Sequence, residues 1–211
     1  MKLKFLSAGL IAAILSLSSF AKTAWDINPI LIGSELPAAT IETVRGEEIT
    51  LAKAINSKPT VLIFYRGGWC PYCNLHLQEL AEAESDLIEL GYQIIALSPD
   101  SPESLEVTLD EKGLNYSLYS DANLSAADGF GITYSLNDKT LEKYIGYGIN
   151  LEKASGGKNK NRLPVSSVFI INENNEVCYS YVDPDYKFRI SKDLLLAAAK
   201  NSSNFHKKSL R

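Results

Sequence analysis

The stretch that most constrains the fold joins an apolar run to a pair of closely spaced cysteines. Residues 60–65, Thr-Val-Leu-Ile-Phe-Tyr, are β-branched, aliphatic or aromatic. Such a run is typical of a strand buried on both faces of a parallel sheet. Gly67 and Gly68 end the strand, and Cys70-Pro71-Tyr72-Cys73 follows directly after Trp69.

A helix is predicted over about 71–89. Pro71 suits its first turn, where the missing N–H of proline costs no intrahelical hydrogen bond. Gly91 ends it. A CxxC motif that opens a helix after a buried strand is the redox signature of a βαβ unit. The apolar face of this predicted helix consists of Leu77, Leu80, Leu87 and Ile88.

The remaining elements alternate as they do in a three-layer α/β domain. A β-hairpin is predicted over 39–51, with Arg45-Gly46-Glu47 as its turn. Ser101, Asp121 and Ser191 are expected to cap helices, because their side-chain oxygens accept hydrogen bonds from free backbone N–H groups. The other predicted strands cover 92–98, 116–119, 168–171 and 177–182, and the other predicted helices cover 102–112, a short segment ending near 130, and 193–200.

The region from about 133 to 162 fits this alternation less well. It holds Gly146, Gly148 and the polar stretch 155–161. We interpret it as an insertion before the last two strands, with a mobile tip and a partly stranded segment around 144–149. The predicted domain therefore covers 36–200, between an N-terminal arm over 22–35 and a polar tail over 201–211.

Residues 1–21 have the layout of a secretory signal peptide. Lys2 and Lys4 precede an apolar run over 5–17, and Ser19-Phe20-Ala21 places small residues before a cleavage point. An uncleaved anchor is the alternative, but the run is shorter than the roughly 20 residues that a spanning helix needs. The pattern predicts export, with the periplasm as the expected compartment and no membrane association after cleavage.

Charge and cysteine content limit the classes of function. The chain of 211 residues has a formal net charge of −4, and removing Lys2 and Lys4 leaves 19 basic and 25 acidic residues. This balance argues against nucleic-acid binding. A domain of this size buries roughly 70% of its unfolded surface, so it needs no disulfide or metal to fold. Cys178 is distant from the other two cysteines, and a small buried residue is favoured over a resolving thiol.

The spacing of Cys70 and Cys73 suits thiol–disulfide chemistry. Two residues three apart on one helical turn face the same side. The partially positive helix N-terminus lowers the pKa of the first thiol, and the thiolate is the species that attacks a disulfide or a peroxide. A zinc site would need a second Cys/His pair, and His76 and His206 are the only histidines. A purely structural disulfide would close a very small loop and stabilise little.

Several segments resemble the peroxiredoxin-like branch of the alkyl hydroperoxide reductase/thiol-specific antioxidant superfamily. The resemblance covers about 36–200. It implies a thioredoxin fold with a central mixed sheet, thiol-based oxidoreductase activity without a cofactor, a peroxide or protein disulfide substrate, and a thioredoxin-type reductant. The matching segments are Phe64-Tyr65-Arg66-Gly67-Gly68-Trp69-Cys70-Pro71-Tyr72-Cys73-Asn74, Ser98-Pro99-Asp100, 163–171 and Asp183-Pro184-Asp185-Tyr186.

The resemblance assigns the thiols in two ways. In the peroxiredoxin pattern Pro-x-x-x-Thr-x-x-Cys, Cys73 takes the peroxidatic position, Cys70 replaces the Thr and Arg66 replaces the Pro. In the thioredoxin pattern, Cys70 attacks and Cys73 resolves. Arg162 is nearest to the expected supporting arginine, although displaced along the chain. Pro164 lies two residues before Ser166, which aligns with the active-site proline of thioredoxins.

Other residues near the motif have two possible roles each. Arg66 either stabilises a thiolate or a peroxide oxygen, or is a plain surface residue. Trp69 is expected to pack beside the cysteines and to shape a docking surface. His76 either shuttles a proton or has no catalytic role. Residues 183–186 and Arg189 are interpreted as a capping and turn network that borders the active site.

Three functions fit these observations. The first is an exported thiol peroxidase that cycles through a Cys70–Cys73 disulfide. The second is a periplasmic thioredoxin-like oxidoreductase of protein disulfides. The third is a redox sensor in which oxidation of the pair changes partner affinity without turnover.

Overall fold

The computed structural model describes residues 21–112 and 116–209. The predicted signal peptide, apart from Ala21, lies outside these residues and stays a prediction. Within the described ranges, no helix is both long and apolar enough to cross a membrane.

Strands and α-helices alternate along the described chain after a short 3₁₀ turn over Ala24–Asp26. The strands are β1 Thr40–Glu42, β2 Glu48–Thr50, β3 Thr60–Phe64, β4 Gln93–Ser98, β5 Ser117–Ser120, β6 Thr133–Ser135, β7 Arg162–Pro164, β8 Ser167–Ile171 and β9 Val177–Val182. The α-helices are α1 Leu51–Ile55, α2 Pro71–Ala81, α3 Glu84–Glu89, α4 Pro102–Lys112, α5 Ser125–Gly129, α6 Asp138–Gly146, α7 Leu151–Ala154 and α8 Lys192–Ser209.

A mixed sheet in the order β2-β1-β5-β4-β3-β8-β9 forms the middle layer. The β3–β4 and β4–β5 pairs are parallel, and the other pairs are antiparallel. This arrangement confirms the predicted central mixed sheet and the N-terminal hairpin. The carboxyl end of β3 lies beside that of β4, and the CxxC motif begins at this edge.

The apolar run of β3 is buried on both sides of the sheet, as predicted. Alternate residues enter two separate cores, because successive side chains of a strand point to opposite faces. Val61 and Ile63 lie under α2, α3, α4 and α8, whereas Leu62 and Phe64 face α1 and α5. On the second face, Phe130 packs against Phe64 and Phe169, with ring centroids 5.0 and 4.6 Å apart. The sheet and the helices packed on its two faces therefore form three layers.

The predicted single helix over 71–89 is wrong, because the chain breaks between α2 and α3. Lys192 Nζ donates a hydrogen bond of 3.0 Å to the carbonyl oxygen of Glu82, which the break leaves without a helical partner. Ala83 and Leu87 are fully buried after the break, whereas Ile88 is 59% exposed. The break shifts the helical phase, so Ile88 does not share the buried face with Leu77 and Leu80.

The insertion is helical at its centre, which corrects the predicted stranded segment at 144–149. β6 and β7 form a separate antiparallel pair at its base. Asn137 caps α6 by accepting from Thr140 N at 2.9 Å, and Asn150 caps α7 in the same way. The polar stretch expected to be a mobile tip forms a hydrogen-bonded turn, in which Asn159 is buried and donates to the carbonyl of Arg162.

The last helix is longer than predicted. Ser191 Oγ accepts from Leu194 N at 3.3 Å, which agrees with the predicted cap. Helix α8 then continues from Lys192 to Ser209 and includes most of the predicted polar tail. The expected caps at Ser101 and Asp121 are also present, at α4 and α5.

The helix break gives a stability prediction for two neighbouring residues. We expect Leu87→Ala to lower the free energy of unfolding by about 2–5 kcal/mol, because it leaves a cavity in the core. We expect Ile88→Ala to change it by less than about 0.5 kcal/mol, because the side chain faces solvent. Urea unfolding followed by circular dichroism measures both values. Equal losses for the two variants would contradict the helical phase described here.

Candidate active site

The two glycines before the motif let the chain turn tightly into the active-site helix. Gly67 has φ +138°, and a Cβ there would lie 2.8 Å from Asp100 Oδ1 and against the indole nitrogen of Trp69. A Cβ on Gly68 would overlap the hydroxyl of Thr108. Only glycine fits both positions, because the loop passes between Trp69 and the end of β4.

Cys70 is the residue at which α2 begins. Its backbone is extended, its side chain makes no capping hydrogen bond, and its carbonyl accepts from Cys73 N and Asn74 N at 3.0 Å each. Asn74 Nδ2 also donates to the carbonyl of Gly68 at 2.8 Å, which holds the loop against the first turn. Cys70 and Cys73 are free thiols, and each is only 1% exposed.

The two thiols have opposite electrostatic environments. A hydrogen bond from the Cys73 thiol to the Cys70 sulfur lowers the pKa of Cys70 to about 6, and Arg66 adds to this effect while burial opposes it. Burial raises the pKa of Cys73 well above its usual range. The hydrogen bond that the Cys73 thiol donates to the Cys70 sulfur raises the pKa of Cys73 further. Cys70 is therefore the thiol that ionises first.

Arg66 is buried beside Cys70 within a group of aromatic rings. Its Nη1 lies 3.9 Å from Cys70 Sγ, and its Nη2 donates to the hydroxyl of Tyr144. The guanidinium carbon lies 4.4 Å from the ring centre of Tyr186 and 5.1 Å from that of Trp69. Among the described residues no carboxylate pairs with Arg66, and its Nε has no hydrogen-bond partner. Arg66 instead interacts with Tyr134, Tyr144 and the Cys70 sulfur, and its charge lowers the pKa of the Cys70 thiol.

A second arginine, Arg189, contacts the other sulfur. Its Nη2 lies 3.7 Å from Cys73 Sγ, and its Nη1 donates to the carbonyl of Phe188 at 2.9 Å. The sequence placed Arg189 only in a capping network at the border of the site. Tyr144 and Tyr186 were not predicted to contact Arg66. Tyr186 lies in a segment that resembles the family, but no sequence signal connects Tyr144 in the insertion to the cysteines.

The structure places Arg162 and Pro164 at the base of the insertion. Arg162 donates to the carboxylate of Asp128 and, at 3.0 Å, to the hydroxyl of Thr133. Its guanidinium is engaged there, and a role for Arg162 in supporting the reacting sulfur stays a prediction. Pro164 pairs with Thr133 across the small β6–β7 sheet.

His76 and Cys178 have environments that favour structural roles. His76 is buried, and its Nε2 lies 3.3 Å from the carbonyl of Ile190, which connects α2 to the segment before α8. Burial lowers the pKa of His76 to about 4, so the ring is neutral near pH 7. Cys178 lies in β9 at the end of the sheet opposite to the CxxC motif. Burial raises the pKa of its thiol to about 11, which suppresses its reactivity.

The carboxylate of Asp100 stabilises the turn formed by Gly67 and Gly68. It accepts hydrogen bonds from Gly68 N at 2.7 Å and from Ser98 Oγ at 3.1 Å. The group is buried, and this burial raises its pKa to about 6. Asp100 was expected only as part of a family motif, and the structure shows that it holds the glycine turn.

The site has the composition of a dithiol redox centre. In the part of the chain that the structure describes, no cluster of three or more His, Cys, Asp or Glu side chains could hold a metal ion. Two thiols of unequal acidity on the first turn of a helix, at the carboxyl edge of a mixed sheet, define a thiol-based oxidoreductase with a thioredoxin fold. A family model described as the AhpC/TSA family matches residues 32–180, and the chain belongs to this family.

Individual relatives agree with this assignment. One relative is the bcp protein of Haemophilus influenzae, which is named as a peroxiredoxin. It is 29% identical to this chain over 106 residues, which cover 50% of this chain and 68% of that protein. The thiol-disulfide oxidoreductase ResA of Halalkalibacterium halodurans is 28% identical over 101 residues that cover 47% of this chain and 56% of that protein. The crystal structure of reduced Prx3 from Vibrio vulnificus with hydrogen peroxide superposes with a TM-score of 0.65 at 19% identity, covering 81% of this chain and 99% of that one. This likeness confirms the thioredoxin fold.

The position of Arg66 gives a prediction for the acidity of Cys70. In the reduced wild-type protein, thiolate absorbance is expected to rise through a midpoint near pH 6. Arg66→Gln should raise this midpoint by about one unit or more, because a cation beside a thiolate favours the charged form. Arg45→Gln changes the same charge at an exposed turn and should leave the midpoint unchanged. A midpoint that Arg66→Gln does not move would contradict the contact.

The buried carboxyl group of Asp100 gives a prediction for stability against pH. Its pKa is raised from 3.8 to about 6, so the folded state binds the proton more tightly than the unfolded state. This contribution to stability is full below about pH 4 and is lost as the pH rises through about 6. Asp100→Asn should therefore reduce the fall in the free energy of unfolding between pH 4 and 6, measured by urea titration.

Two other aspartates serve as references for this measurement. Asp121 is also buried with a raised pKa, to about 7, so part of the pH dependence should remain in Asp100→Asn. Asp138 is exposed at the start of α6, and Asp138→Asn should keep the wild-type profile. An unchanged slope in Asp100→Asn would contradict the burial of this carboxyl group.

Proposed function

We propose that the protein is a thiol peroxidase that cycles through a Cys70–Cys73 disulfide. The observation that carries the proposal is the burial of both sulfurs beside an arginine that has no carboxylate partner among the described residues. Each thiol is 1% exposed, and Trp69 and Tyr144 lie beside the guanidinium of Arg66. A peroxide is small enough to reach a sulfur through local side-chain motion. A folded protein with a disulfide needs a larger opening.

The electrostatics assign the attack on peroxide to Cys70. Its thiolate forms a bond to one peroxide oxygen, the O–O bond breaks, and the departing oxygen takes a proton and leaves as water or an alcohol. Arg66 stabilises the thiolate before the attack and the negative charge on oxygen as it develops. The product on the protein is a sulfenic acid at Cys70, whose sulfur has been oxidised by two electrons.

Cys73 completes the cycle as the resolving thiol. It loses its proton, its sulfur attacks the Cys70 sulfur, and the sulfenic oxygen leaves as water. Arg189 lies beside Cys73 Sγ and favours the thiolate that this step needs. A thioredoxin-type reductant then returns two electrons to the disulfide. This assignment reverses the order that the peroxiredoxin motif alignment gives to the two cysteines.

A protein thiol–disulfide oxidoreductase is the second candidate function. The similarity to ResA, which is named for that activity, supports it. Exposed apolar side chains also lie beside the motif, among them Tyr72, Leu75 and Phe188. For either function we propose that the protein acts after it has been exported and residues 1–21 have been removed by cleavage after Ala21, because these residues have the layout of a signal peptide.

Stopped-flow fluorescence tests the peroxidase proposal. Trp69 is next to Cys70, so oxidation should change its emission when the reduced protein is mixed with hydrogen peroxide. We expect oxidation much faster than that of free cysteine at the same pH, and a loss of about 10²-fold in Arg66→Gln. A wild-type rate no faster than free cysteine would contradict peroxidase activity.

The two cysteine variants test the order of the steps. Cys73→Ser should still react with peroxide and accumulate a sulfenic acid that dimedone traps on Cys70, as mass spectrometry would show. Cys70→Ser should react slowly, because Cys73 has the higher pKa. A trapped sulfenic acid on Cys73 in Cys70→Ser, formed at the wild-type rate, would restore the peroxiredoxin order.

A further inference from the structure

The insertion places one aromatic side chain beside the redox pair. Tyr144 lies near the end of α6, where its ring centre is 5.6 Å from that of Trp69 and its hydroxyl accepts from Arg66 Nη2. Its phenol is also close enough to Cys70 for the two groups to affect each other's ionisation. Ile145 and Tyr147, on the other side of the same turn, face solvent. Tyr144 is thus the residue by which α6 contacts the site.

Helix α6 is attached to the domain weakly. It contributes no fully buried residue, and its Leu141 and Tyr144 pack against a small cluster of Leu136, Leu151 and Leu163 that is separate from both main cores. Segments held by few buried contacts open at a lower free-energy cost than the core. Local opening of α6 would move Tyr144 away from Arg66 and Trp69.

The surroundings of Trp69 show why Tyr144 matters for access. A cleft of about 380 Å³ between α4 and residues 148–156 is lined by Trp69, Val107 and Ile149. This cleft reaches the indole of Trp69 and not the sulfurs, both of which are buried. Tyr144 instead lies beside Arg66, whose Nη1 contacts the Cys70 sulfur.

We infer that Tyr144 is a specificity-determining residue that limits by size what reaches the Cys70 sulfur. With Tyr144 in place, small oxidants reach the thiolate and bulky disulfides are excluded. The inference rests on the proposed function, because it explains why a CxxC site of this fold favours a peroxide over a protein disulfide. The mechanism is steric, so its direct consequence is a change in accessibility.

Alkylation by reagents of two sizes tests this inference without using peroxidase activity. The reduced protein is treated with iodoacetamide and, separately, with a maleimide carrying a polyethylene glycol chain, and mass spectrometry identifies the labelled cysteine. For Tyr144→Ala we expect the rate at Cys70 for the bulky reagent, relative to the small one, to rise about tenfold or more. Tyr144→Leu, a smaller change, should raise the ratio less.

Two control variants separate the ring of Tyr144 from other effects. Tyr147→Ala removes a ring that is 69% exposed on the residue directly after α6 and should leave the ratio unchanged. Tyr144→Phe keeps the ring and removes only the hydroxyl that Arg66 contacts, so it should also keep a ratio near wild type. An unchanged ratio in Tyr144→Ala, or an equal rise in Tyr147→Ala, would overturn the inference.

Substrate kinetics complete the test. Tyr144→Ala should reduce insulin disulfides faster than wild type by about tenfold or more, while its rate with hydrogen peroxide changes by a smaller factor. Equal factors for both substrates would overturn the role in specificity. If the wild-type protein is slow with peroxide but Tyr144→Ala admits the bulky maleimide, the proposed function fails and the size limit stands.

Discussion

The contact between the buried guanidinium of Arg66 and the Cys70 sulfur is the interaction on which the site depends. Burying a charge is costly unless other groups compensate. Around Arg66 the compensation comes from Tyr134, from the hydroxyl of Tyr144, from the faces of Trp69, Tyr144 and Tyr186, and from the sulfur of Cys70. Because no carboxylate among the described residues neutralises Arg66, its charge acts on the thiol. The low polarity of the surroundings makes that effect stronger than it would be in water.

Burial raises the pKa of both thiols, but the hydrogen bond between them lowers the pKa of Cys70 and raises that of Cys73, and this difference gives the pair its direction. Cys70 begins the helix and receives a hydrogen bond from Cys73, so it gains the most from ionising. Cys73 lies one turn further into the helix, and burial keeps it protonated. Arg189 offsets only part of that penalty. A pair in which one thiol ionises near pH 6 and the other stays neutral is suited to attack followed by resolution.

Local features of the sequence were enough to predict the frame of the molecule. The strand over Thr60–Phe64, the glycine turn and the start of the CxxC helix at Pro71 follow from residues that are adjacent in the chain, and the structure agrees with them. The break after Ala81 could not be predicted in this way, because the group that stabilises it, Lys192, is 110 residues away in sequence from Glu82. The contact of Arg162 with Asp128 likewise joins residues that are distant in the chain, so no local pattern could indicate it.

The insertion and Arg66 act together at the site, and of the two only Arg66 was predicted to belong to it. Tyr144 is one of the rings that keep Arg66 buried, which limits the screening of its charge by solvent. Without Arg66, the enclosure would raise the pKa of Cys70 by burial and leave the thiol unreactive near neutral pH. An enclosed thiol that is also acidic needs both, and the segment around the motif supplies only the thiols, Arg66 and Trp69. Tyr144 lies 78 residues beyond Arg66 and Tyr186 further still, so the contribution of these two rings depends on the completed fold.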